Sequence, residues 1–216
     1  MDKLSNRLSS SKVLVVGDII LDRYYFGDST RISPEAPVPV VNIDSSTNRL
    51  GGAANVADNI SSIGCKTTLL GIISKDSEGK LISEMCQKKG ILLKSVFDTA
   101  GSTIKKIRVI SRGQQSVRLD FESTFSEAIA KEIFINFKNI YKDYDLIILS
   151  DYNKGTLFFS RQIIEMAKSE DITTIVDPKG DDYEKYAFAD VVTPNYKEFE
   201  SVVGRCRTER EIEKRS

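Results

Sequence analysis

The run Lys12-Val13-Leu14-Val15-Val16-Gly17 is continuously apolar and ends in glycine, the pattern of a strand buried on both faces. Similar runs recur at 67–73, 146–149, 172–176 and 190–193. Helical periodicities lie between several of them. Ala53, Val56, Ala57, Ile60 and Ile63 share one helix face, as do Ile129, Ile133, Phe137 and Ile140. Ser160 is placed to cap a helix that turns Ile163, Ile164 and Ala167 inward. Strands alternating with helices predict an α/β fold, with a mainly parallel sheet flanked by helices.

Two regions break the alternation. Residues 24–43 hold Tyr24-Tyr25-Phe26 and Val38-Pro39-Val40-Val41 on either side of a polar loop. Residues 103–121 read as two strands, 104–110 and 115–121, around a turn at Arg112-Gly113. Pro34, Pro37 and Pro39 demote the first region from central strand to edge or lid. A small β-rich lid, 24–43 with 103–121, is therefore expected on the α/β body. No internal repeat or low-complexity tract interrupts the chain, and from residue 208 a charged helical pattern begins.

Composition narrows the chemistry. Lys and Arg number 31 and so do Asp and Glu, so nothing marks a nucleic-acid partner. Hydrophobic residues are 40% of the 216, with no apolar stretch of membrane-spanning length, so a membrane partner is not expected. Residues 1–11 are polar and carry no apolar core of a secretion signal, which makes the cytoplasm the default location. There is no histidine, which excludes Ser-His-Asp and Cys-His catalysis within these residues. Cys65, Cys86 and Cys206 are far apart and read as buried reduced thiols. Chemistry must rest on carboxylates, Lys, Arg, backbone amides and a borrowed metal ion.

In open α/β sheets ligands bind beyond the carboxyl ends of the strands. Gly17-Asp18 and Asp22 follow the first strand, and carboxylates suit polyhydroxylated ligands because each accepts hydrogen bonds from neighbouring hydroxyls. A helix cap or surface loop is the plainer alternative for both. Gly51-Gly52-Ala53-Ala54-Asn55 opens an amphipathic helix, where paired glycines let a ligand approach free N–H groups; tight turn-to-helix packing explains it equally.

The order of these features resembles the ribokinase-like (PfkB) carbohydrate kinases. Gly17-Asp18, Asp22, Gly51-Gly52-Ala53-Ala54-Asn55-Val56-Ala57, Gly64, Asp76 and Gly79 are similar to that family's first signature. The resemblance continues through Ser150-Asp151-Tyr152-Asn153-Lys154-Gly155, Val176-Asp177-Pro178-Lys179-Gly180 and Thr193-Pro194-Asn195-Tyr196-Lys197-Glu198, and so covers nearly the whole chain. Within the family, Arg31-Ile32-Ser33-Pro34-Glu35-Ala36-Pro37-Val38-Pro39-Val40 and Ser111-Arg112-Gly113-Gln114-Gln115 look like the heptose 7-phosphate kinases. Those often form the N-terminal half of a bifunctional kinase and adenylyltransferase in ADP-heptose synthesis.

The resemblance implies ATP and Mg²⁺ as cofactors and a sugar phosphate as substrate. By it, Asp18, Asp22, Gly51, Gly52 and Asn55 would hold sugar hydroxyls, with Asp151 and Lys154 close by. Arg118, with Arg108 and Arg112, is available in the lid for a phosphate dianion, or else belongs to a solvated strand face. Asp177, Lys179, Asn195, Tyr196, Lys197 and Glu198 would place the magnesium-bound nucleotide phosphates; a helix capped by Asn195 and a turn at Asp177-Pro178 are the structural alternatives. Lids of related kinases often pair between subunits, so a second copy of the chain is a candidate partner through the lid.

Three departures carry expectations of their own. Ser74 stands where the family usually has Gly, and would be strained if that position needed positive φ. Gly113 replaces a more usual Asn at the hairpin tip. The family's second signature, Gly-Ala-Gly-Asp, whose Asp is the catalytic base, does not occur, so the chain reads as a partial kinase domain whose base lies beyond residue 216. Losing a general base costs about 10²–10⁴ in rate, so this chain alone is expected to show no useful turnover.

Overall fold

The first apolar run sends alternate side chains into two separate cores: Leu14 and Val16 pack in one, Val13 and Val15 in the other. The computed structural model, which describes residues 2–215, arranges the elements as follows. In chain order they are α1 (Asp2–Ser10), β1 (Lys12–Gly17), β2 (Ile19–Ile32), β3 (Pro39–Gly52), α2 (Ala53–Ser62), β4 (Lys66–Ser74), α3 (Ser77–Lys88), β5 (Leu92–Asp98) and β6 (Lys105–Ser111). Then come β7 (Gln114–Phe121), α4 (Glu127–Ile140), β8 (Leu146–Ser150), α5 (Ser160–Ser169), β9 (Thr173–Asp177), β10 (Val191–Val192), α6 (Tyr196–Val203) and α7 (Glu209–Arg215).

The main sheet has the order β10-β9-β8-β1-β4-β5, and every neighbouring pair is parallel. Ala53, Ala57, Ile82 and Cys86 bring α2 and α3 against one face; Ile133, Phe137, Ile163 and Ile164 bring α4 and α5 against the other. Each fully buried Leu or Ile contributes about 1.5–3 kcal/mol, so these two layers hold the body together. Strand order reverses at β1, which has β4 on one side and β8 on the other. A crevice therefore opens at the carboxyl ends of β1 and β8, where the connections diverge.

The expected lid is a separate four-stranded sheet, β3-β2-β6-β7. Two antiparallel hairpins build it, joined through the parallel β2–β6 pair. Arg112 (φ 51°) and Gly113 (φ 76°) both take left-handed backbone at the β6–β7 turn, the conformation that closes a two-residue hairpin. Pro39 starts β3, an edge strand, as the prolines required.

Several details differ from the sequence expectation. Ile63 lies just past α2 and is 56% exposed, because the helix ends one residue earlier. Ser160 is the first helical residue rather than the cap, which is Phe159; the Ser160 hydroxyl donates instead to the Lys185 carbonyl at 3.0 Å. Ser74 has no positive φ, and its N–H donates to Thr103 Oγ1 at 2.9 Å, so serine is unstrained there. The three cysteines are free and buried as expected, and burial pushes the Cys86 thiol up to about 11. Among the described residues no helix is long and apolar enough to cross a membrane.

Candidate active site

Beyond Gly17 the chain turns at Asp18, whose side chain is wholly buried. Its Oδ2 accepts the N–H groups of Tyr152 (2.8 Å) and Lys154 (3.1 Å), and its Oδ1 accepts that of Thr156 (3.3 Å). Burial raises the Asp18 pKa above its ordinary value, although the bonds from Thr156 and Tyr152 pull the other way. The carboxylate anchors the 152–156 loop to the end of β1 and has no surface left for a sugar.

The Asp18 carbonyl also accepts the N–H of Ala53 at 2.9 Å, which seats the start of α2 beside the crevice. Gly52 makes the turn possible: its φ is 56°, and a Cβ there would lie 2.3 Å from the Asp18 oxygen. The N-cap position of α2 has no side-chain partner, so the N–H groups of Ala54 and Asn55 have no cap, and Asn55 is exposed. Gly51 lies against Asp22, whose Oδ2 a Cβ would approach to 2.5 Å. Asp22 is the partly exposed carboxylate of this corner, at 20%, and Arg108 Nη1 meets its Oδ1 at 2.5 Å. Arg49 and Arg108 stand 5.0 and 5.2 Å from the centre of the Tyr24 ring, on the same lid face.

Asp151, the next expected substrate residue, is spent on structure. Its Oδ2 accepts the Tyr186 hydroxyl at 2.6 Å and Lys185 Nζ at 2.8 Å, and its Oδ1 accepts the Asn153 N–H at 2.6 Å. Lys154 Nζ reaches Glu122 at 2.8 Å, tying the same loop to the root of the lid. Arg118 is half-exposed on β7 and pairs with Asp120 at 3.0 Å, beside Arg108 in the β6–β7 register. Arg112 is consumed at the lid tip by Asp28 (3.0 Å) and the Ser29 carbonyl (2.7 Å).

Of the residues expected to place nucleotide phosphates, Asp177, Lys179, Asn195 and Glu198 line a cleft of about 290 Å³. Asn195 and Glu198 form a capping box at the start of α6: Asn195 Oδ1 accepts the Glu198 N–H (3.1 Å) and Glu198 Oε2 accepts the Asn195 N–H (3.0 Å). Glu198 Oε1 takes Lys179 Nζ at 2.8 Å. Burial opposes the Glu198 charge, yet Lys179 and the Asn195 N–H hold its pKa below the ordinary value. Asp177 goes the other way, raised by burial and by the Glu198 charge facing it. Tyr196 turns aside: its hydroxyl donates to the Cys206 carbonyl at 2.6 Å. Exposed Lys197 lies outside this cleft, in a shallower hollow with Lys179 and Ser201.

Among the described residues no cluster of three metal-ligating side chains occurs. Three carboxylates (Asp151, Asp177 and Glu198) and a lysine at one cleft fit magnesium held mainly by phosphate oxygens and water, the usual arrangement for a nucleotide-borne ion. The sequence pattern did not single out Tyr152, which lines the cleft. Its pKa is raised, by burial first and then by the Asp177, Asp22 and Glu198 charges, with Lys179 pulling the other way. Tyr186 and Lys185 were missed as well; nothing local in the sequence marks them, because their partner is the distant Asp151.

The pattern of the pfkB family carbohydrate kinases matches residues 10–215. The chain belongs to that family. It is 45% identical over 215 residues to the "Bifunctional protein HldE" of Haemophilus influenzae (strain PittEE), covering 100% of this chain and 45% of that protein. The same-named protein of Proteus mirabilis (strain HI4320) is 44% identical over 204 residues, 94% of this chain and 43% of its own length. The chain thus spans about half the length of the curated relatives it matches. Among solved structures, phosphofructokinase-2 from Escherichia coli in complex with fructose-6-phosphate superposes with a TM-score of 0.74 at 18% identity, over 95% of this chain and 68% of that one. Arabidopsis thaliana ribokinase complexed with ribose and ATP gives 0.65 at 19%, over 95% and 66%. Those likenesses establish the ribokinase-like fold of this PfkB chain.

Proposed function

We propose that these residues form the acceptor-sugar corner and part of the nucleotide-phosphate cleft of an ATP-dependent kinase for D-glycero-D-manno-heptose 7-phosphate, giving the 1,7-bisphosphate. The observation that supports this reading is the cleft walled by Tyr152, Lys179, Asn195 and Glu198, with Asp22 and the uncapped α2 start next to the end of β1. The heptose motifs in the lid and the relatives named HldE support the choice of sugar.

In such a reaction the sugar hydroxyl oxygen bonds to the γ-phosphorus as the bond to the β,γ-bridging oxygen breaks, and the hydroxyl proton passes to a base. Magnesium, when bound with the nucleotide, neutralises phosphate charge. Asp22 accepts hydrogen bonds from neighbouring sugar hydroxyls, while the α2 N–H groups and Asn55 supply donors. Arg108 and Arg118 on the charged lid face, joined by Arg49, meet the 7-phosphate. Lys179, held by Glu198, meets the nucleotide phosphates. The chain contains no Gly-Ala-Gly-Asp, so the reading assigns binding and positioning, not proton removal, to these residues. A cytoplasmic site of action goes with the use of ATP.

The lid supports a second copy of the chain as partner. Its charged face carries Asp22, Arg108 and Arg118, and its other face carries Ile107, Val109, Val117, Leu119 and Phe121 by the β6–β7 register. Val117, Leu119 and Phe121 are 45–46% exposed, an apolar stripe suited to pairing with its equal.

Melting of the full chain with added sugars tests the assignment. A ligand at 100 times its Kd stabilises by about 2.7 kcal/mol. Heptose 7-phosphate is expected to raise the melting temperature more than ribose does, and Asp22→Asn to abolish the rise. Equal shifts from both sugars, or none from the heptose phosphate, would overturn it.

A further inference from the structure

At the opposite end of the main sheet, where β1, β4 and β5 begin, lies a cavity of about 460 Å³. Lys12 stands directly across from Lys66 in the β1–β4 register, and Leu70 across from Lys94 in the β4–β5 register. Registered partners share a face and every second residue returns to it. Lys12, Lys66 and Lys94 therefore lie on the face of Leu14, Leu70 and Val96, which α4 covers, and they line the cavity near the helix end at Ile140. Like charges directly opposite one another destabilise a strand pair. All three lysines are exposed at the cavity rim, and none of their ammonium groups has a hydrogen-bond or ion-pair partner among the described residues.

The rest of the wall is not a neutralising surface. Asp143 is its one carboxylate. Asp145, close by, takes the backbone N–H of Lys12 at 2.8 Å. The Tyr144 hydroxyl donates to Thr68 Oγ1 at 2.8 Å, which leaves the buried Thr68 hydroxyl proton for another acceptor. Leu92 and Ile140 add apolar surface beside these donors.

We propose that this cavity binds a small phosphate-bearing anion, at a site separate from the crevice at the other end of the sheet. Three unpaired ammonium groups and a free hydroxyl proton match the charge and the acceptor oxygens of a phosphate. The cavity is of the size that takes a small metabolite. An anion here also removes the Lys12–Lys66 repulsion, so binding stabilises the strand starts it touches.

The test is an amide ¹H–¹⁵N titration of the full chain with inorganic pyrophosphate and, separately, ribose 5-phosphate at constant ionic strength. Saturable shifts at residues 66–68 and 92–94 are expected from at least one probe. Tighter binding of the sugar phosphate would identify an organic ester using the Leu92–Ile140 wall; tighter binding of pyrophosphate would identify an inorganic anion. The double variant Lys66→Gln, Lys94→Gln is expected to bind about tenfold more weakly while melting no lower than the parent without ligand. Shifts confined to residues 177–198, no saturation with either probe, or unchanged affinity in the double variant would overturn the proposal. The parent titration decides the matter even if the variant folds poorly.

Discussion

Asp18 keeps a carboxylate away from water, and three backbone N–H groups stand in for the lost hydration. Asp18→Ala would strand those donors at about 1–3 kcal/mol each, so a loss of about 3 kcal/mol or more is expected, read as an earlier urea midpoint. Gly52→Ala meets a steric limit of another kind, positive φ together with a Cβ 2.3 Å from a carbonyl oxygen; its cost should exceed about 2 kcal/mol. The acidic groups differ in sign. Burial raises Asp18, so its contribution is full below the ordinary 3.8 and is lost as pH rises through the folded value. Glu198 is lowered despite burial, so its contribution is present above the ordinary 4.5 and is lost as pH falls through the folded value. Glu198→Gln should therefore lose less stability than the parent on acidification, measured by urea unfolding from about pH 6 to about pH 3. An identical slope in the two proteins would remove Glu198 from the acid response.

At the scale of elements, α6 depends on its first turn. None of its residues is buried, so packing does little for it and the capping box does much. Asn195→Ala is expected to cost about 1 kcal/mol by removing the acceptor of the Glu198 N–H, while the backbone N–H of residue 195 and Lys179 still hold the Glu198 carboxylate, with faster amide exchange across 196–203 as the local readout. Its effect on the Lys179 side of the cleft would separate a phosphate role from a capping role, because the same side chain serves both alternatives read from the sequence. What the sequence reveals follows burial. The strand at Lys12–Gly17 was legible because both of its faces are covered, and the 53–60 face because Ala53 and Ala57 meet the sheet. β5 was missed because it is an edge strand, with Val96 its one buried residue. α3 was missed although Ile82 and Cys86 are buried and Leu81 and Met85 pack beside them, because its first turn, Ser77-Glu78-Gly79-Lys80, is polar and holds a glycine. The anchoring bonds of Asp18 were not legible in any local pattern, because its partner Tyr152 lies 134 residues away in sequence.

On the scale of the whole molecule, the two sheets divide the labour. The parallel sheet is covered on both faces, so it is a rigid base that brings β1, β8 and β9 to one crevice. The lid has no such cover on the stripe formed by Val117, Leu119 and Phe121, each 45–46% exposed. One face of the lid is charged toward Asp22, so a second chain pairing on the apolar face would leave the Asp22 corner free and stiffen the hairpins that carry Arg108 and Arg118. Sedimentation of the chain over a hundredfold concentration range is expected to show reversible dimers. Leu119→Asp would place a charge in the stripe, and like charges from the two copies would then face each other across the interface. That variant should sediment as a monomer while its melting temperature in dilute solution, where the parent is also dissociated, stays close to the parent's. A monomeric parent at every concentration would exclude the pairing, and a dimer untouched by Leu119→Asp would move the interface elsewhere on the molecule.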